Sequence, residues 1–173
     1  QRQMCIRDSF DFEVAQKTME ALAIVHNKSA NSPEAAAAFA NQDIFYQLRI
    51  SPYFEFLAGK HPEYKAEIEA MIPKIRDDRR VIVHSDYSPK NILVNADRSI
   101  CILDYEIAHY GNPAFDVAFF TNHIVLKSAH MRQYSAAILN MLTCMTDTYF
   151  GMIDFTDAKE LEAECIPLLG ILM

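Results

Sequence analysis

Glycine is scarce in this chain of 173 residues: Gly59, Gly111, Gly151 and Gly170 are the whole complement. Their spacing excludes a Gly-x-Gly-x-x-Gly loop. Positive charge is scarce as well. With 16 Lys and Arg against 23 Asp and Glu the net charge is -7, which argues against a surface that tracks nucleic-acid phosphates, so no nucleic-acid partner is expected. Arg76, Arg79 and Arg80 come nearest to a basic cluster, but Asp77 and Asp78 interrupt it, and it reads as a solvated loop edge. Cys5, Cys101, Cys144 and Cys165 form no Cys-x-x-Cys pair and have no His-x-x-x-His nearby. That pattern suggests neither a zinc site nor a disulfide framework and fits a reducing, cytoplasmic location. No apolar run approaches the roughly 20 residues of a membrane helix, and no charged-then-apolar signal opens the chain, so no membrane partner is expected.

What is present is enough for one core. The chain is 51% hydrophobic, and a chain of this length buries roughly two-thirds of its unfolded surface. Both ends read as cut. The first residue is Gln1, and residues 166–173 are an apolar, helix-like run with no stop signal. Residues 1–9 resemble a stretch that recurs at the edges of unrelated translated fragments. They are expected to be a non-native leader, with one domain over residues 10–173.

From Phe12, the residues Ala15, Met19, Leu22, Ala23 and His26 recur at three- and four-residue steps, the stripe of a core-facing helix. Ser32-Pro33-Glu34 reads as a cap for a short helix over 35–40. Residues 43–57 are aromatic-rich and expected to be helical in part, punctuated by Pro52. His61-Pro62 starts a further helix that Pro73 should end or kink. The texture then changes. Val81-Ile82-Val83, Ile92-Leu93-Val94 and Ile100-Cys101-Ile102-Leu103 are β-branched runs, the last two joined by a turn-rich segment, so a strand, a loop and a β-hairpin are expected. Helices return after Asn112-Pro113, to about Lys127, and along Met131, Tyr134, Ile138, Met141, Met145 and Thr148. Thr156 is expected to cap a last helix, which Pro167 should kink.

The polar residues suited to chemistry concentrate around the hairpin, in Val83-His84-Ser85-Asp86-Tyr87-Ser88-Pro89-Lys90-Asn91 and, beyond it, Leu103-Asp104-Tyr105-Glu106. Phosphoryl transfer to a hydroxyl needs a carboxylate to orient the hydroxyl and take its proton, and oxygen ligands to hold magnesium. Asp86 follows a strand, Asn91 opens the hairpin and Asp104 ends it. A hairpin folds the latter two toward one edge.

This segment resembles the aminoglycoside phosphotransferase and choline kinase branch of the protein-kinase-like superfamily. That family's motif is His-Gly-Asp, four residues, then Asn, and Ser85 stands here where Gly is usual. The resemblance covers roughly residues 10–173, with 86–116 as its specific part. It implies an α+β, mainly helical fold: the C-terminal lobe of the kinase-like fold, with a small β-hairpin insert carrying the catalytic and metal residues. It further implies ATP and Mg2+ as cofactors, Asp86 as catalytic base, and Asn91 and Asp104 as metal and nucleotide ligands. Asp116, in the Asn112-Pro113-Ala114-Phe115-Asp116 helix start, would brace the catalytic loop through backbone hydrogen bonds. His84, Ser88, Lys90 and Glu106 are supporting residues. Lys90 reads equally as a phosphate contact or a solvated loop lysine. Tyr87 and Ser88 are candidates to line the acceptor site, and His109, His123 and His130 read as surface or helix-packing residues.

Protein kinases place Lys two residues after the catalytic Asp and insert a long activation segment. Ser88 holds that position here, and only eight residues, 105–112, separate Asp104 from Pro113. A small-molecule hydroxyl acceptor is therefore favoured. The phosphate-gripping loop and strand lysine of such enzymes are missing, so the N-terminal lobe is expected upstream and this piece is expected to be inactive alone. Three alternatives stay open: a choline/ethanolamine- or methylthioribose-type metabolite kinase, a non-catalytic kinase-like binding module, and a helical interaction domain matching the motif by accident. Nothing in the sequence sets the oligomeric state.

Overall fold

An aspartate begins the first helix. In a computed structural model describing residues 11–173, Asp11 accepts a hydrogen bond from Val14 N at 3.3 Å and caps α1 (Phe12–Ser29). Its apolar stripe Ala15, Met19, Leu22, Ala23 and His26 is buried, as the spacing predicts. The proposed leader and Cys5 lie outside the described residues. Ser32 caps α2 (Pro33–Ala38) through Ala35 N.

The next segment departs from expectation. Pro52 does not interrupt it: α3 (Asp43–Phe45) continues into a π-helical stretch, Tyr46–Glu55, and then α4 (Phe56–Lys60). Proline lacks the N–H that would bond four residues back, and its ring crowds that carbonyl. The wider π turn carries the chain past it. Pro62–Tyr64 forms one 3-10 turn before α5 (Lys65–Arg76), which runs three residues beyond Pro73.

The expected strands are present as β1 (Val81–Val83), β2 (Ile92–Val94) and β3 (Ile100–Ile102). A fourth, β4 (His109–Gly111), was not foreseen. It pairs antiparallel with β1, Val83 opposite His109, while β2 and β3 form the hairpin, Ile92 opposite Ile102. The hairpin is therefore one of two ladders. The loops 84–91 and 103–108 both run between them, and this frame positions the polar residues. Gly111 is required by a close approach: a Cβ there would lie 2.4 Å from the buried His109 ring.

Asn112 Oδ1 accepts from Ala114 N at 2.8 Å and starts α6 (Ala114–His130). Helices α7 (Ser135–Met152) and α8 (Ala158–Leu172) follow. Asp157, not Thr156, caps α8, accepting from Lys159 N and Glu160 N, and α8 continues through Pro167. Helix α7 packs on α1 and α6, and α8 packs on α6. The core between them includes Phe115, Phe120, Ile124, Ile138, Met145 and Leu168. Among the described residues no helix is long and apolar enough to cross a membrane. Cys101, Cys144 and Cys165 are free, and burial pushes the Cys165 thiol up to about 12.

Candidate active site

Asp116 sits in the first turn of α6, fully buried, and reaches back to the loop after β1. Its carboxylate accepts from His84 N and Ser85 N, each at 2.7 Å, and His26 Nε2 lies 3.4 Å away. Two donated N–H groups fix the loop's backbone where it leaves the strand. His26 Nδ1 in turn meets Tyr149 OH at 2.6 Å, so a buried chain of polar groups runs from α7 through α1 to the loop.

His84 joins the two loops. Its Nε2 donates to Leu103 O at 2.9 Å and its Nδ1 accepts from Asp86 N at 3.2 Å, which requires the Nε2–H tautomer. Ser85 adopts φ 67°, the left-handed region that favours glycine. Its hydroxyl lies 3.0 Å from His109 Nδ1. His109 is thus not at the surface: it is buried in β4 with its ring packed against Phe45 of helix α3, and burial depresses its pKa to about 4.

Asp86 and Asn91 meet directly. Asn91 Nδ2 donates to Asp86 O and Oδ2, both at 2.9 Å, within the turn that Ser88 and Pro89–Asn91 form. Asn91 O accepts from Leu103 N at 2.9 Å, which brings the residue before Asp104 against the end of the loop 84–91. Asp104 is exposed at φ 70°, and its carboxylate makes no hydrogen bond or ion pair among the described residues. Lys90 Nζ pairs with Asp86 Oδ2 at 2.9 Å while remaining mostly exposed.

Other residues fall elsewhere. Glu106 is exposed and unbonded among the described residues. Tyr87 does not line an open site: it is fully buried, its hydroxyl donates to Thr18 O and its ring packs on Phe120. Burial raises its pKa well above the usual tyrosine value. Ser88 is likewise fully buried, and its hydroxyl has no hydrogen-bond partner among the described residues. His123 Nδ1 meets Phe119 O within α6. Arg80 is also no solvated edge, since it is half-buried between Asp78 and Glu164. Arg49 was missed altogether. Its Nη2 lies 3.0 Å from Asp86 Oδ1 and its Nε donates to Ser85 O at 2.7 Å.

The donor chemistry suits a hard divalent cation. Asn91 spends its amide nitrogen on Asp86, and among the described residues nothing donates to its Oδ1 and nothing pairs with the Asp104 carboxylate. Oxygen ligands from one or two side chains, completed by phosphate and water, are what magnesium takes. The described residues contain no group of three or more His, Cys, Asp or Glu that would hold a metal by itself.

Residues 3–140 match the model of the phosphotransferase enzyme family, and the chain belongs to that family. Among solved structures, an ethanolamine kinase of Plasmodium vivax aligns at 21% identity with a TM-score of 0.42, over 94% of this chain and 40% of that one. The chain thus spans about two-fifths of that protein's length. No protein of curated function matches.

Proposed function

We propose that the protein carrying this chain transfers the γ-phosphate of ATP to a hydroxyl of a small molecule, with Asp86 as the base. The observation that carries this reading is the direct Asn91–Asp86 contact, beside a backbone bond from Leu103 that sets Asp104 at the same loop junction. Membership of the phosphotransferase family supports it. Asp86 Oδ2 accepts the acceptor's proton as its oxygen bonds to the γ-phosphorus. The bond from that phosphorus to the β,γ-bridging oxygen breaks, and ADP leaves with the electron pair. Asn91 Oδ1 and the Asp104 carboxylate would hold Mg2+, which neutralises charge on the phosphates when bound. Asp116 and His84 hold the backbone leading into Asp86, at the N–H groups of residues 84, 85 and 86, so the base keeps its place without reorganising. A small acceptor is favoured because residues 105–112 turn at once into β4, which pairs with β1, leaving no long segment for a peptide to lie on. A non-catalytic module would not need Asp86, Asn91 and Asp104 together.

The test is ADP release by the intact gene product, screened across aminoglycosides, amino alcohols and hydroxylated metabolites with Mg-ATP. Turnover with one acceptor class is expected. Asp86→Asn should lower that turnover by about 10² to 10⁴, and Asp104→Ala should abolish magnesium-dependent nucleotide binding. Parental rates in both variants would overturn the assignment.

A further inference from the structure

Three nitrogen groups surround the Asp86 carboxylate, and they are not equivalent. Oδ2 receives Asn91 Nδ2 and the Lys90 ammonium. Oδ1 receives the Arg49 guanidinium. The Lys90 side chain is 61% exposed and that of Arg49 only 11%, so the lysine contact is solvent-screened and exchangeable whereas the arginine contact is not.

Arg49 is also fixed from every other side. Nε donates to Ser85 O at 2.7 Å, Nη1 to Leu48 O at 2.9 Å, and the guanidinium lies 5.1 Å from the Phe119 ring centre. Leu48 O is the carbonyl that the N–H at position 52 would serve in a regular α-helix, and position 52 is proline. Arg49 takes up this carbonyl from within the π-helical stretch itself. Nothing about solvating a cation demands this. A buried guanidinium is costly without partners, and the carboxylate among these partners is Asp86.

We infer that Arg49 is a positioning residue for phosphoryl transfer: held by Leu48 and Ser85, it locks Oδ1 of Asp86 so that Oδ2, whose cation is the exchangeable Lys90, is the oxygen presented to the acceptor hydroxyl. The inference rests on the proposed role of Asp86 as base. It assigns a catalytic consequence to a residue 37 positions upstream, on the helical run before the strands.

A double-mutant cycle in the intact gene product tests it, with Mg-ATP and the acceptor that the screen identifies. Arg49→Met should lower kcat by about 10- to 100-fold, with the KM for ATP within about 3-fold. In the Asp86→Asn background the same substitution should cost no further kcat, because the group it positions is gone, while the loss in Tm persists in both backgrounds. An equal factor in kcat in both backgrounds, or an unchanged kcat, would reduce Arg49 to a structural residue and leave the base assignment standing. Parental turnover in Asp86→Asn alone would overturn both. Should Arg49→Met not fold, Arg49→Lys carries the cycle, since an ammonium keeps the charge but cannot bridge Ser85 O and Asp86 together. The same non-additivity is expected of it, and additivity overturns the inference.

Discussion

Ser85 shows how one side chain offsets a poor backbone. Its φ of 67° lies where a Cβ costs about 1 kcal/mol or more, yet its N–H, carbonyl and hydroxyl all have partners, in Asp116, Arg49 and His109. Ser85→Gly relieves the strain and loses the hydroxyl's contact with His109, itself worth about 1 kcal/mol. The two nearly cancel, so the urea midpoint should move little. Ser85→Val keeps the strain, adds a β-branched clash and leaves His109 Nδ1 with only its 3.4 Å contact to Ile107 O, so a loss of roughly 2 kcal/mol or more is expected. Equal stability of the two variants in urea titrations would show that backbone geometry is not limiting there.

At the scale of elements, Pro52 is the instructive case. A proline in a sequence reads as a helix stop because only its missing donor and its ring are visible there. The long-range partners that keep Tyr46–Glu55 helical, Phe54 and Ile50 in the core and Arg49 on the loop after β1, are not. Pro52→Ala restores an N–H that competes for Leu48 O. Tm should hold or rise, while turnover falls roughly 3-fold or more as Arg49 loses an anchor. Unchanged kinetics with regular α geometry would show that the π turn serves packing alone. The same logic sorts what the letters disclosed. Strands β1 to β3 were legible because β-branched runs are a local signal, and the hold of Asp116 on the backbone of residues 84 and 85 is what the family resemblance implies. β4 was not, because His109-Tyr110-Gly111 has no strand-like composition and exists through pairing with β1. Arg49 was not, because a single arginine carries no spacing signal toward a loop 37 residues away. Asp157 displaced Thr156 as a cap by one residue, where two good cap residues stand nearby and only geometry chooses.

For the whole molecule, the buried His109 makes folding sensitive to mild acid. Desolvation is the largest cause of its depressed pKa, about 4 against the ordinary 6.5; its contact with Ile107 O and the charge of Asp116 oppose the shift, and Arg79 adds to it. Between those two values the unfolded chain binds a proton at this position that the folded chain does not, so stability falls as pH drops from 6.5 to about 4 and this contribution is constant below that. The loss has an upper limit of roughly 3 kcal/mol. Surface carboxylates act in a lower window. Glu13, held down by its hydrogen bonds to Lys17 and Arg98, and Asp77, held down by Arg76, weaken the fold only once protonated, below 4.5. Urea midpoints measured from about pH 7 down to pH 4 should therefore slope downward in the parent chain. In His109→Gln, which keeps a polar group for Ser85 but cannot titrate, the midpoint at pH 7 is lower and the slope between pH 6.5 and 4 largely disappears. If the slope survives in that variant, the proton is taken up elsewhere, and the ring in β4 is not what couples this fold to pH.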